Sequence, residues 1–259
     1  MLRIRRRLAA AFVVLLVLSA WVTALPAGAA PPLQEDNVIA YGEVKSGEIT
    51  DRAFEQEWTF EGEAGDIVGI SVKCDGFSGY VIMLDSEAEV IAEIDAFTAF
   101  DYQVSQFYVM ELPADGAYTV IVTRQGGRTG TGTGSYELQL DEATPLVWGV
   151  PATLTFDPKE HAVVYSVFRT DAAQEIQLDY SVISGEFRPE VTVVQPIIND
   201  RGTAELKKLC TAYGEFLTAG KLMVALPEEG LYVITIDPAW GSTSPQAASA
   251  YEVTISPAE

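Results

Sequence analysis

The chain has 259 residues, with 37 acidic against 16 basic side chains and one histidine, for a formal charge of −21. A surface this acidic is repelled by nucleic acid phosphates and by anionic lipid head groups, which argues against nucleic acid as a partner. Its 48% hydrophobic content supplies a core, two cysteines do not make a disulfide scaffold, and the length favours two domains over one.

Residues 1–30 read as a secretory signal peptide. A basic "MLRIRRR" precedes the apolar "LAAAFVVLLVLSAWV" and the small-residue "LPAGAA", so cleavage is expected after Ala29 or Ala30. Retention as an anchor is the alternative, because the apolar stretch extended to Leu25 approaches the spanning minimum of about 18 residues. No cysteine follows it to carry a lipid, and no second apolar run of spanning length occurs downstream. Processing removes Arg3, Arg5, Arg6 and Arg7 without any acid, taking the charge to −25. The expected location is secreted, at the outside of the cell or of its envelope.

After a linker at 31–36, the sequence repeats itself. "LPADGAYTVIVT" (Leu112 to Thr123) returns as "LPEEGLYVITID" (Leu226 to Asp237), and "SYELQL" (Ser135 to Leu140) as "AYEVTI" (Ala250 to Ile255), at offsets of 114 and 115. Upstream, "WTFEGEAGDIVGISV" from Trp58 answers to "YSVFRTDAAQEIQLDYSV" from Tyr165, and "YVIMLD" from Tyr80 to "EVTVVQ" from Glu190. Two copies of one unit are therefore placed at 37–143 and 144–259. On this matching Trp58 and Tyr165 hold equivalent strand positions and are assigned to the core.

Each copy consists of short β-branched and aromatic runs bounded by Gly, Pro, Asp or Asn, the pattern of an antiparallel β-sandwich or jelly roll. The Leu-Pro-x-x-Gly segments read as tight turns, with φ fixed at Pro113 and Pro227 and positive φ supplied by Gly116 and Gly230. Helical spacing shows weakly only in "TAELKKLCTAYGEFL" (Thr203 to Leu217). The run with Gly126, Gly127, Gly130, Gly132 and Gly134 lies between two strands, not between a strand and a helix, and has no Gly-Lys-Ser/Thr ending. It is read as a mobile hairpin loop and not as a phosphate cradle.

The catalytic inventory is thin. His161 is the sole histidine and reads as an exposed turn residue; no Gly-x-Ser-x-Gly elbow accompanies it, and a zinc site built on two histidines is impossible. No residue is assigned a catalytic or cofactor-binding role. Binding has more material: Phe97, Phe100 and Tyr102 fall in an irregular stretch, and Trp240 falls in the last hairpin loop of copy two. Exposed there, such rings stack on sugars or dock a partner; buried, they plug the end of a sandwich. Cys74 and Cys210 are not equivalent in the repeat, and they read as free thiols, buried or partly so.

The ordered set "YGEVKSGEITD", "EWTFEGEAGDIVGISV", "YVIMLDSEAEVIAEID", "LPADGAYTVIVTRQGG" and "GTGSYELQL" resembles the bacterial pre-peptidase C-terminal (PPC) domain family over most of residues 40–141, with copy two a divergent member. The resemblance implies β-sandwich accessory modules of secreted bacterial proteins, linked with secretion, with substrate or matrix binding, and sometimes with calcium. It makes Asp85, Glu87 and Asp95 the calcium candidates, although "DSEAE" replaces the family's usual Asp-Pro-Asp-Gly-Asn turn. The expectation is a non-catalytic binding or structural accessory protein with a polysaccharide, matrix or protein partner. A secreted hydrolase or inhibitor acting through its loops and a calcium-stabilised spacer are the alternatives.

Overall fold

The computed structural model describes residues 37–96, 105–143, 145–156, 164–185, 189–198, 204–213, 219–238 and 248–258. The leader, His161, Phe97, Phe100, Tyr102 and Trp240 lie outside them, as does the side chain of Asp95.

The described residues contain sixteen strands. The first eight are β1 (Glu43–Ile49), β2 (Glu55–Gly62), β3 (Ile67–Cys74), β4 (Gly79–Leu84), β5 (Val90–Ala96), β6 (Ser105–Glu111), β7 (Gly116–Arg124) and β8 (Gly134–Glu142). The second eight are β9 (Ala152–Phe156), β10 (Val164–Thr170), β11 (Gln174–Ser184), β12 (Pro189–Ile198), β13 (Ala204–Tyr213), β14 (Ala219–Leu226), β15 (Gly230–Pro238) and β16 (Ser249–Pro257). They form four antiparallel sheets, ordered β1-β8-β3-β6 and β2-β7-β4-β5, then β9-β16-β11-β14 and β10-β15-β12-β13. Adding eight to each strand of the first pair reproduces the second pair, so the chain is two tandem jelly-roll sandwiches.

The same local device fixes both modules. Tyr118 Oη donates to the Ala114 carbonyl at 2.6 Å, and Tyr232 Oη donates to the Glu228 carbonyl at 2.7 Å, each four residues back on the Leu-Pro turn. Each ring stacks on a phenylalanine of the neighbouring strand, Tyr118 on Phe60 at 5.4 Å and Tyr232 on Phe168 at 5.6 Å. Gly116 (φ 151°) and Gly230 (φ 146°) supply the left-handed backbone that opens each strand. A second repeat escapes sequence matching. The Leu146 amide donates to the Val167 carbonyl as the Ile39 amide does to Thr59, and Gly149 to Ile255 as Gly42 to Leu140.

Each core lies between its own two sheets, the first extended by Ala204 and Leu206 of β13. Val68, Ile70, Val81, Met83, Val120 and Leu138 are among the side chains closing the first, and Phe168, Leu178, Val193, Tyr232, Val253 and Ile255 among those closing the second. Full burial of one such aliphatic or aromatic side chain contributes about 1.5–3 kcal/mol.

Two expectations change. Residues Ala204–Tyr213 form strand β13 and no helix. Its pairing with β12 skips Leu209, between Val193↔Cys210 and Val194↔Lys208. That bulge puts Leu206, Leu209 and Cys210 at spacings of three and four, which imitates a helical face. Tyr165 is not the counterpart of Trp58 either. Phe60 pairs with Tyr118 and Phe168 with Tyr232, which matches Trp58 to Ser166 and turns Tyr165 to the opposite face.

The glycine-rich run is a surface loop tied down at two carbonyls. Arg124, 3% exposed, donates from Nε to the Gly127 carbonyl and from Nη1 to the Gly132 carbonyl and to Asp51. A Cβ on Gly132 would come within 2.8 Å of Phe77, and one on Gly134 would overlap the Asp75 carbonyl. Gly130, Gly132 and Gly134 sit where neighbouring atoms leave no room for a side chain, and Gly126 and Gly127 supply positive φ.

Replacing Tyr118 or Tyr232 by Phe is expected to cost about 1 kcal/mol each, read as a lowered denaturant midpoint. Equal losses at the two sites would reflect the duplicated device. Burial raises the Tyr108 hydroxyl from 10.0 to about 12, Tyr251 likewise to about 12, and the Cys74 thiol from 9.0 to about 11. The unfolded chain releases these protons first. Stability is therefore expected to be full below about pH 9 and to fall progressively up to about pH 12, measured by urea titration across that range.

Candidate functional site

A polar cleft of about 480 Å³ opens at the edge of the first sandwich, where strands β1 and β2 part. Asn37, Ser46, Gly47, Glu55, Gln56, Glu57 and Trp58 line it. Alternation along β2 decides who faces where: Trp58 is buried and Gln56 half-buried, whereas Glu55 and Glu57 are exposed on the opposite side of the strand.

The wall of the cleft is a chain of hydrogen bonds. Trp58 Nε1 donates to Tyr136 Oη at 2.8 Å, and Tyr136 Oη donates to Gln56 Oε1 at 2.5 Å. Burial raises the Tyr136 hydroxyl above its ordinary pKa, while the bond from Trp58 opposes that rise. The hydroxyl stays protonated and remains a donor. With its oxygen engaged, the Gln56 amide keeps its N–H groups as donors. Lys45 Nζ stands 5.8 Å from the centre of the Trp58 ring and pairs with Glu43. Gly47 makes the arrangement possible, since a Cβ there would overlap Gln56 Oε1 and lie 2.5 Å from Tyr136.

Among the described residues the side chains that build this cleft are not repeated in the second module. Tyr251 stands at the position of Tyr136, but Ser166 and Val164 replace Trp58 and Gln56 in β10. The chemistry on offer is hydrogen bonding from the Gln56 amide and the polar groups of Asn37 and Ser46 beside the indole, suited to a hydroxyl-rich ligand.

The sequence candidates fare differently. Asp85 closes the β4–β5 turn: its Oδ1 accepts the amides of Glu87 and Glu89, each at 2.9 Å. Glu87 is exposed on that turn. Among the described residues no three His, Cys, Asp or Glu side chains gather as a metal would require. Phe97, Phe100, Tyr102 and Trp240, the candidate ligand-stacking rings, lie outside the described residues. Cys74 is buried and Cys210 half-buried, both free. Gln56, Tyr136 and Gly47 were not singled out by sequence. Nothing local marks them, because Gln56 and Tyr136 are 80 residues apart and meet only across the sandwich edge.

No family model and no curated protein matches the chain. Solved structures that resemble it include a protein from Eubacterium rectale, at 12% identity and TM-score 0.28 over 82% of this chain and 73% of that one. The CBM22-1-CBM22-2 tandem domain of Paenibacillus barcinonensis Xyn10C has 11% identity and TM-score 0.25, covering 85% and 93%. The tandem CBM51 modules of a family 98 glycoside hydrolase from Streptococcus pneumoniae have 7% identity and TM-score 0.24, covering 77% and 81%. What those proteins bind is a property of those proteins.

Proposed function

We propose that this chain is a non-catalytic binding protein of the cell exterior, in which the first module takes a hydroxyl-rich ligand, such as a polysaccharide, at its open edge and the second is its mount. The observation that carries this reading is the cleft at Gln56, buttressed by the Trp58–Tyr136 hydrogen bond, whose Gln56 and Trp58 are replaced by Val164 and Ser166 in the second module. A duplicated fold needs no such difference for stability, since Ser166 and Val164 fill the same positions in the other copy. Export of the chain is read from its basic, apolar and small-residue leader, and membership of the PPC family belongs to the same proposal.

Affinity electrophoresis through gels cast with neutral or acidic polysaccharides tests it. The chain is expected to be retarded by at least one polymer, and Gln56→Ala to lose about tenfold in affinity, with a stability loss of about 1 kcal/mol from the Tyr136 bond that leaves it folded at the assay temperature. Equal retardation of Gln56→Ala and the unaltered chain in every polymer that retards it would remove the cleft from the proposal. Gly47→Ala is expected to push Gln56 and Tyr136 from their places. Overpacking of this kind costs about 1–3 kcal/mol, visible as a lower denaturant midpoint together with weakened retardation.

A further inference from the structure

Each sandwich has two outer faces, and one face of each is covered by the other module. Residues from Gln34 to Glu259 form one compact unit. Its two sandwiches meet through Ile67 and Val109 of the first module and Val167, Val194 and Val233 of the second, all buried. The joined faces are not equivalent. The first module uses its β1-β8-β3-β6 sheet, with the β5 edge of its other sheet meeting β13, and the second its β10-β15-β12-β13 sheet. A contact between unlike faces of like modules leaves an unlike pair free and would, repeated between chains, build a ring or an open filament.

Two features orient the joint. Tyr165 of β10 stands on the bare backbone of Gly69 in β3, where any Cβ would overlap its hydroxyl. Burial, with the Asp141 carboxylate nearby, drives the Tyr165 hydroxyl far above its ordinary pKa. Beside this plug, Arg169 Nη2 pairs with Glu111 at 2.5 Å. The faces left free lack every one of these parts. Register places Glu57 and Glu61 of β2 where the docked sheet carries Tyr165 and Arg169. On the other free face, Gln177, paired across from Met223 and Ser256, occupies the place of Gly69, which pairs across from Val109 and Asp141. Gln177 Nε2 donates to Asp179 at 2.6 Å, and Glu175 stands where Ile67 does.

We infer that Tyr165 in the Gly69 socket is a one-way lock that holds the two modules as a single body, and that Glu57, Glu61 and Gln177 cap the two free faces against a further module of the same kind. The partner surface that fits the Gly69 face is a β-sheet face bearing a tyrosine plug and an arginine, and this chain supplies it from within.

The test uses the full chain. Gly69→Ala is expected to open the joint: the radius of gyration in X-ray scattering rises, and one cooperative unfolding transition becomes two. Tyr165→Ala alone removes the plug without adding a clash and is expected to open the joint as well. An unchanged radius in either Gly69→Ala or Tyr165→Ala overturns the lock. Light scattering reads the caps. The unaltered chain is expected to be monomeric, and Glu57→Tyr/Glu61→Arg/Gln177→Gly to gain mass with concentration. Equal masses for the two, or end-to-end multimers of the unaltered chain, overturn the caps.

Discussion

One tyrosine hydroxyl per module, held four residues back on a Leu-Pro turn, fixes where the strand β7 or β15 begins. That start sets register. In a pleated strand, register decides which face every side chain occupies, because a slip of one residue exchanges inside for outside. The burial of Trp58, the outward turn of Tyr165 and the position of Gln56 at an edge all follow from these two anchored strands. The stacked Phe60–Tyr118 and Phe168–Tyr232 pairs extend the same alignment to β2 and β10.

The two modules have used this shared frame differently. In the first, β2 carries Trp58 inward and Glu57 outward, which gives a cleft at the edge and a charged outer face. In the second, β10 carries Ser166 inward and Tyr165 outward, which gives an ordinary core and a docking face. Strand β3 is buried on both faces, with Val68 and Ile70 toward its own core and Ile67 toward the neighbour. Such double burial accounts for its continuous apolar character, in contrast to the alternation of β4. With one face of each sandwich consumed by the joint and the others lined by acids, sheet edges and loops are left for a ligand.

The glycine-rich run illustrates how little composition decides. Glycine permits mobility, but it also permits close approach, and nothing in a single sequence separates the two. Here Arg124, buried under the loop, takes its carbonyls as acceptors and its glycines as clearance. The apparent helical spacing around Leu206 and Cys210 has a similar origin, since a bulge adds a residue that pairing does not count.

What the sequence determined by itself is the all-β class, the duplication, and the turns at Pro113, Gly116, Pro227 and Gly230. These rest on period-two alternation and on the backbone limits of two residue types, both local properties that survive without knowledge of any partner. Only the tertiary structure decided which faces meet, that Tyr165 fills the space above Gly69, and that Gln56 and Tyr136 share a cleft. Those facts depend on side chains tens of residues apart arriving on the same surface, and no local pattern records a distance across a fold.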